Sequence, residues 1–236
     1  MSQSRILDDK SRTPGMFTSI AHRYDFLNHA LSLNIDRRWR RQMVEACNVE
    51  PGDHVLDVAT GTGDAALEFA HRTRAARIVG LDPSSGMLEV ARTKIVEDAR
   101  ASHVELTEGD ALALPFPDRS FDVVTIAFGL RNLPDYARGV SEMARVLRPG
   151  GRLVVLEFLP PRGAARLVFR SYIATVLPVL GRAISGSPEA YRYLASSIGE
   201  FMDAEAVLAL LRNAGLRDAT TQRLTGGIAG LHHSLK

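Results

Sequence analysis

Val55-Leu56-Asp57-Val58-Ala59-Thr60-Gly61-Thr62-Gly63-Asp64, followed by an acid at Asp82, decides how the rest of the chain reads. Residues 55–58 form an apolar run with β-branched members, the pattern of a buried strand. The run breaks into a glycine turn, after which Ala66, Phe69 and Ala70 repeat at helical spacing. Glycines in the turn let the backbone come close to a ligand where a Cβ would collide. A second apolar run, Ile78-Val79-Gly80-Leu81, ends at Asp82, whose carboxylate can accept both hydroxyls of a ribose. Strand, glycine turn, helix, strand and terminal acid, in that order, make a nucleoside-binding half of a Rossmann-like sheet.

The nucleoside is narrowed by charge. A dinucleotide site wants G-x-G-x-x-G, and Ala66 in the third position is also tolerated in such sites, so the glycines leave the choice open. The acids tell more. Asp57 within the strand and Asp64 just after the turn would repel a pyrophosphate and favour a cationic ligand carrying an amino acid. S-adenosylmethionine has a sulfonium, an ammonium and no phosphate, and is the expected cofactor.

Composition agrees with a compact enzyme. A chain of 236 residues supports one sizeable α/β domain with an added lid. A net charge of +2 argues against a dedicated nucleic-acid binder. The single cysteine, Cys47, excludes an internal disulfide and a cysteine metal cluster, and fits a reducing compartment. The first residues are polar and charged, and no apolar run approaches the roughly 20 residues of a membrane span. The expected location is cytoplasmic.

Along the chain strands and helices alternate. Ser84-Ser85 can cap a helix with Leu88, Ala91 and Ile95 on its apolar face. Residues 104–106 form a short third strand leading to Gly109-Asp110-Ala111, and residues 121–128 a fourth. A helix with Val140, Met143, Ala144 and Leu147 on one face stops at Pro149-Gly150-Gly151, and residues 153–158 form a fifth strand. Asp203 caps a late helix that ends at Gly215, and two weaker strands, residues 219–224 and 228–235, close the chain. Such alternation implies a mostly parallel sheet with right-handed crossovers. Two segments stand outside it, a helical cap at residues 17–50 and an apolar insertion at residues 159–202. Ligands of open α/β sheets sit beyond the carboxyl ends of the strands, so the insertion reads as a lid, or alternatively as extra core or a dimer surface.

From end to end the sequence resembles the ubiquinone/menaquinone-biosynthesis C-methyltransferase family. Met16-Phe17 with Ala21, Tyr24-Asp25 and Asn28 is similar to its opening signature, and residues 57–64 to its cofactor loop. Residues 110–118, Phe128-Gly129-Leu130-Arg131-Asn132, Leu147-Arg148-Pro149-Gly150-Gly151 and Leu156-Glu157-Phe158 match its central blocks. Val176-Leu177-Pro178, Tyr191-Arg192-Tyr193-Leu194 and Leu224-Thr225-Gly226-Gly227-Ile228 match the later ones. The Phe-Gly-Leu-Arg-Asn and Leu-Thr-Gly-Gly-Ile blocks are the narrowest. The chain departs from the pattern at Asp36, where His is usual, at Ala127, where Ser commonly precedes Phe128, and at Ser196, Met202, Gly230 and His233. The resemblance implies an α/β class I methyltransferase sheet, mostly parallel with its last strand antiparallel, with helices on both faces and a helical lid. It also implies C-methylation of a prenylated quinol ring, demethylmenaquinol or the analogous ubiquinone precursor, with S-adenosylmethionine as donor.

Expected cofactor-binding residues are Gly61, Thr62, Gly63, Asp82, Asp110, Ala111 and Ala127, with Asp110 accepting from the adenine amino group. Expected catalytic residues are Arg131, Tyr24, Asp25 and Asn28. Arg131 stays protonated, so its guanidinium either holds a phenolate or fixes its loop through an ion pair. Tyr24, Asp25 and Asn28 orient the quinol hydroxyls, with Asp25 or a water taking the proton, or Tyr24 and Asp25 simply pack the lid. No metal is expected: His232 and His233 point to opposite faces of a strand, and His22 and His29 lack partners at ligand spacing. Arg37, Arg38, Arg40 and Arg41 around Trp39, and Arg162, Arg166 and Arg170, either rest on anionic headgroups at the inner face of the plasma membrane or form ordinary solvated faces. A homodimer or a quinone-biosynthesis complex is compatible with this reading. Two other classes stand beside it, a methyltransferase for a different small phenol and a non-catalytic quinone-binding assembly subunit.

Overall fold

Both faces of the strand His54–Val58 (β1) are covered, so its apolar run becomes the middle of the sheet. The structure, a computed structural model, describes residues 34–160 and 197–236 together with Gly15, Thr18, Ala21 and Ser32. Tyr24, Asp25, Asn28 and residues 161–196 of the expected lid lie outside the described residues. The elements run α1 (Ile35–Ala46), β1, α2 (Asp64–Arg72), β2 (Arg77–Asp82), α3 (Ser85–Glu97), β3 (Val104–Glu108), β4 (Phe121–Ala127), α4 (Tyr136–Val146), β5 (Leu147–Phe158), α5 (Ala204–Asn213), β6 (Arg217–Leu224) and β7 (Ala229–Leu235). The sheet order is β3-β2-β1-β4-β5-β7-β6, with β1 to β5 parallel and β7 antiparallel to both neighbours.

Alternation of side chains splits the core in two. Val58, Ile126, Val155, Met143, Val207 and Leu211 pack on the side of α4 and α5. Val55, Val123, Leu156, Met43 and Phe69 pack on the side of α1 and α2. Each large side chain buried there contributes about 1.5–3 kcal/mol by leaving water. Ser84 and Asp203 cap α3 and α5 as their positions suggest, accepting from the N–H groups of Met87 and Ala206.

The Pro149-Gly150-Gly151 segment differs from its expected role. Leu147 does not continue the helix; it is the first residue of β5 and pairs with Phe121, after which the register shifts and resumes at Val123 opposite Arg152. The intervening residues form a bulge in a long strand, with Gly150 at φ +80°. Its N–H donates to the Lys236 carbonyl, and the Lys236 N–H donates to Gly151 O. Proline and glycine thus shape an irregular strand instead of ending a helix outright.

Candidate active site

The chain turns to opposite sides of the sheet after β1 and β4, and this switch point opens at their carboxyl ends. Ala59 and Phe128, one residue beyond each strand, both adopt left-handed backbone, φ +54° and +57°. A side chain costs energy in that conformation, and such strain collects at functional sites. Gly129 makes the arrangement feasible, because a Cβ there would stand 2.7 Å from the Ala59 Cβ. Beyond Ala59 the loop carries Gly61 and Gly63 at positive φ, and Gly63 starts α2. From beneath, Asp57 accepts from Thr60 Oγ1 at 2.6 Å and from Thr125 Oγ1 at 3.0 Å, tying the loop to β4. Thr62 is buried.

Asp82 lies at the tip of β2, 7% exposed. One carboxylate oxygen accepts from Gly61 N–H and the other from Ser84 N–H, both at 2.9 Å. Each oxygen retains a second lone pair, the acceptor set that a ribose diol needs. Gly109 N–H donates to Asp82 O at 3.2 Å, which brings the turn after β3 alongside. There Asp110 is exposed, its Oδ1 accepting from Leu112 N–H at 2.8 Å, and Ala111 is buried. Ala127, half-buried, ends β4. Gly61, Thr62, Gly63, Asp82, Asp110, Ala111 and Ala127 thus stand at one edge of the sheet. Their chemistry fits S-adenosylmethionine: carboxylates for hydroxyls and an amino group.

Burial pushes the Asp82 carboxyl up to about 6, against the pull of the Ser84 and Gly61 N–H groups. Burial likewise lifts Asp57 to about 6, opposed by the hydroxyls of Thr60 and Thr125 and by Arg40, with the Asp82 charge adding to the rise. Both carboxyls hold a proton more tightly folded than unfolded. The stability they contribute is therefore present at low pH, below about 4, and lost as pH rises through about 6. Binding runs the other way, since ribose hydroxyls donate best to the ionised carboxylate. The Kd for S-adenosylmethionine should rise as pH falls through about 6, with protons released on binding near that pH. Calorimetry in buffers of different ionisation enthalpy measures both, and a Kd flat from about pH 5 to about pH 8 would remove Asp82 from the ribose.

Arg131 sits in a 3₁₀ turn, Leu130–Asn132, at the carboxyl end of β4 and is buried. Its Nη1 donates to Glu157 Oε1 at 2.8 Å and to Phe128 O, and its backbone N–H donates to Glu157 Oε2 at 3.2 Å. The guanidinium lies 5.4 Å from the Phe158 ring centroid, and among the described residues Nε has no partner. Glu157, fully buried, also accepts from Phe158 N–H at 2.9 Å. The ion pair, one of the two roles expected for Arg131, is present, and its Nε–H, without a partner among the described residues, leaves a donor for another group. Sequence reasoning did not identify Glu157 as that partner. The signal was there, a lone acid ending the apolar run Leu153-Val154-Val155-Leu156.

Two charge readings are corrected. Arg40 does not belong to a surface patch: α1 buries Asp36, Trp39, Arg40, Met43 and Val44, and Arg40 pairs with Asp36, approaches Asp64 at 3.8 Å and lies 5.6 Å from the Phe128 ring centroid. Arg37, Arg38 and Arg41 remain exposed. Asp64, expected to bias the loop toward cationic ligands, is compensated by Lys94 at 2.7 Å, so the negative field there rests on Asp57 and Asp82. Trp39 Nε1 donates to Thr225 Oγ1 at 2.9 Å, joining α1 to the Leu-Thr-Gly-Gly-Ile block between β6 and β7.

The ubiE/COQ5 methyltransferase family matches residues 6–236. Demethylmenaquinone methyltransferase of Thermus thermophilus is 50% identical over 92% of this chain and 98% of its own length. The ubiquinone/menaquinone biosynthesis C-methyltransferase UbiE of Geobacter sulfurreducens is 45% identical over 97% of this chain and 90% of its own. Among solved structures, a methyltransferase in complex with the Haloferax volcanii Trm112 activator overlays with a TM-score of 0.68 at 21% identity, over 93% of this chain and 96% of that one. A SAM-dependent methyltransferase from Aquifex aeolicus gives 0.62 at 18% identity, over 83% and 88%. At those identities the structures share the fold.

Proposed function

The chain belongs to the ubiE/COQ5 methyltransferase family, and we infer from that premise an S-adenosylmethionine-dependent C-methyltransferase of menaquinone and ubiquinone biosynthesis, acting on a quinol. The observation that carries the reading is the extent of the match. It runs from residue 6 to the last strand and so includes residues 17–50 and 159–202, beyond the cofactor sheet common to many methyltransferases. A prenylated naphthoquinol, demethylmenaquinol, is the acceptor this likeness favours.

When bound, the cofactor supplies a methyl group already activated by sulfonium. The chain must hold the ring carbon in line and exclude water. Asp82, the glycine loop and Asp110 hold the nucleoside and amino-acid ends. Transfer of that methyl to the ring would need the chain to take the phenolic proton that activates the ring carbon, and to return a proton to that oxygen when the ring proton leaves and aromaticity is restored, one proton being released overall. Arg131, with Glu157 fixing one edge of its guanidinium, offers Nε–H to the phenolic oxygen. Tyr24, Asp25 and Asn28 are assigned to the acceptor hydroxyls, with Asp25 or a water as proton acceptor. No helix among the described residues is long and apolar enough to cross a membrane. The exposed Arg37, Arg38 and Arg41 are proposed to touch anionic headgroups, where a prenylated substrate resides.

Methyl transfer to a tail-length series tests the acceptor. If residues 159–202 close over the prenyl chain, shortening it should weaken binding by about 0.8 kcal/mol per buried methylene. Phe169→Asp or Ile173→Asp should raise KM for tailed quinols with S-adenosylmethionine affinity intact. A dimer surface instead predicts a change in light scattering with KM unchanged, and a flat series favours a small phenol.

A further inference from the structure

Two buried side-chain nitrogens among the described residues have no hydrogen-bond partner, Arg131 Nε and His232 Nε2. They belong to one corner of the sheet. Glu157, which holds Arg131, lies directly opposite Gly230 on β7, and His232 lies opposite Val155, two residues further along. Strand alternation puts all four residues on one face: Leu156 and Leu231 pack on the α1 and α2 side, so Val155, Glu157, Gly230 and His232 project to the other. His232 Nδ1 is 2.8 Å from Thr221 Oγ1, which turns the other ring nitrogen toward Gly230. A Cβ added at Gly230 would stand 2.8 Å from Nε2 and 2.9 Å from Leu159 Cδ1. The imidazole edge therefore looks along β7 toward the carboxyl end of β5, where Arg131 and Glu157 meet. Leaving a buried polar atom unmet destabilises a fold, so two such atoms at one corner point to a ligand that meets both.

We propose that His232 is a second binding residue for the acceptor ring, its Nε2 hydrogen-bonded to the quinol oxygen across the ring from the one held by Arg131. The inference rests on the reading of this protein as a quinol methyltransferase. A quinol carries oxygens at opposite ends of its ring, and two anchors at opposite ends fix which ring carbon faces the methyl donor. Burial, aided by the Arg223 charge, lowers the His232 pKa to about 4, so the ring stays neutral and Nε2 accepts or donates according to the tautomer that Thr221 selects.

Competition with three tailed compounds tests this: the quinol and two monophenols, each lacking one hydroxyl. Wild type should bind each monophenol about three- to tenfold more weakly than the quinol, the worth of one hydrogen bond. His232→Leu should lose discrimination against one monophenol only, keep it against the other, and leave S-adenosylmethionine affinity unchanged. Gly230→Ala, whose Cβ displaces the imidazole, should reproduce the pattern and provides a second variant if the first does not fold. Equal weakening of all three compounds in both variants would make His232 structural and overturn the proposal. So would a wild type that binds quinol and monophenols alike. Failure of wild type to bind any of the three strikes at the quinol reading itself.

Discussion

Replacing Glu157 with alanine should destabilise the fold by about 3–5 kcal/mol, because it leaves the Arg131 guanidinium buried without its counter-charge. Arg131→Ala should cost a similar amount by stranding Glu157. An Arg131→Met, Glu157→Leu double variant should lose less than the sum of the two singles, since it strands neither charge. Urea denaturation of the three variants reads this coupling directly. Losses below about 1 kcal/mol for both single variants would mean that water reaches the pair. Catalysis separates the two roles of Arg131. If it stabilises phenolate charge, the double variant should fold, bind S-adenosylmethionine normally and turn over about 10²–10³ times more slowly. A folded double variant with near-normal turnover would reduce the pair to a structural brace. Arg131→Lys should rescue poorly, because an ammonium cannot donate to Glu157, Phe128 O and a ligand in one plane.

Asp82→Ala should weaken S-adenosylmethionine binding at least tenfold. Charge-assisted hydrogen bonds are worth about 1.5–3 kcal/mol each, and about 1.4 kcal/mol is a factor of ten. The variant also strips Gly61 and Ser84 N–H of their acceptor, which loosens the glycine loop. Asp82→Asn separates the two effects. It keeps one acceptor oxygen, but its amide group must face an N–H donor, so it should bind more weakly than wild type yet fold better than the alanine variant. Calorimetry showing unchanged affinity in a folded Asp82→Ala protein would refute the placement at the ribose.

What could be read in the sequence was local. The buried run at residues 55–58, the glycine turn and the acid ending residues 77–82 needed only alternation and spacing, and they located the switch point. Caps at Ser84 and Asp203 were legible for the same reason. The partners of charged residues were not. Glu157 and Arg131 are 26 positions apart and meet only because β4 and β5 are neighbours. Lys94 meets Asp64 across two helices. The direction of Arg40 was half-legible: positions 36, 39, 40, 43 and 44 form a helical stripe, but two of them are charged, and charge suggested solvent. Only the packing of Trp39 and Phe128 turns that stripe inward. The bulge at residues 148–151 was hidden because proline and glycine mark a chain reversal and an irregular strand alike.

The position of β7 has a consequence for how the protein is made. Emerging from the ribosome after β6, it nevertheless occupies the place between β5 and β6. Until it arrives, the nascent chain holds a five-strand parallel sheet whose β5 border is open, while β6 waits for a neighbour that has not been synthesised. Open strand borders recruit other chains. Translation stalled before residue 229 should therefore yield aggregates sequestered by chaperones, not a smaller enzyme, and a fragment ending there needs β7 supplied in trans to become tractable.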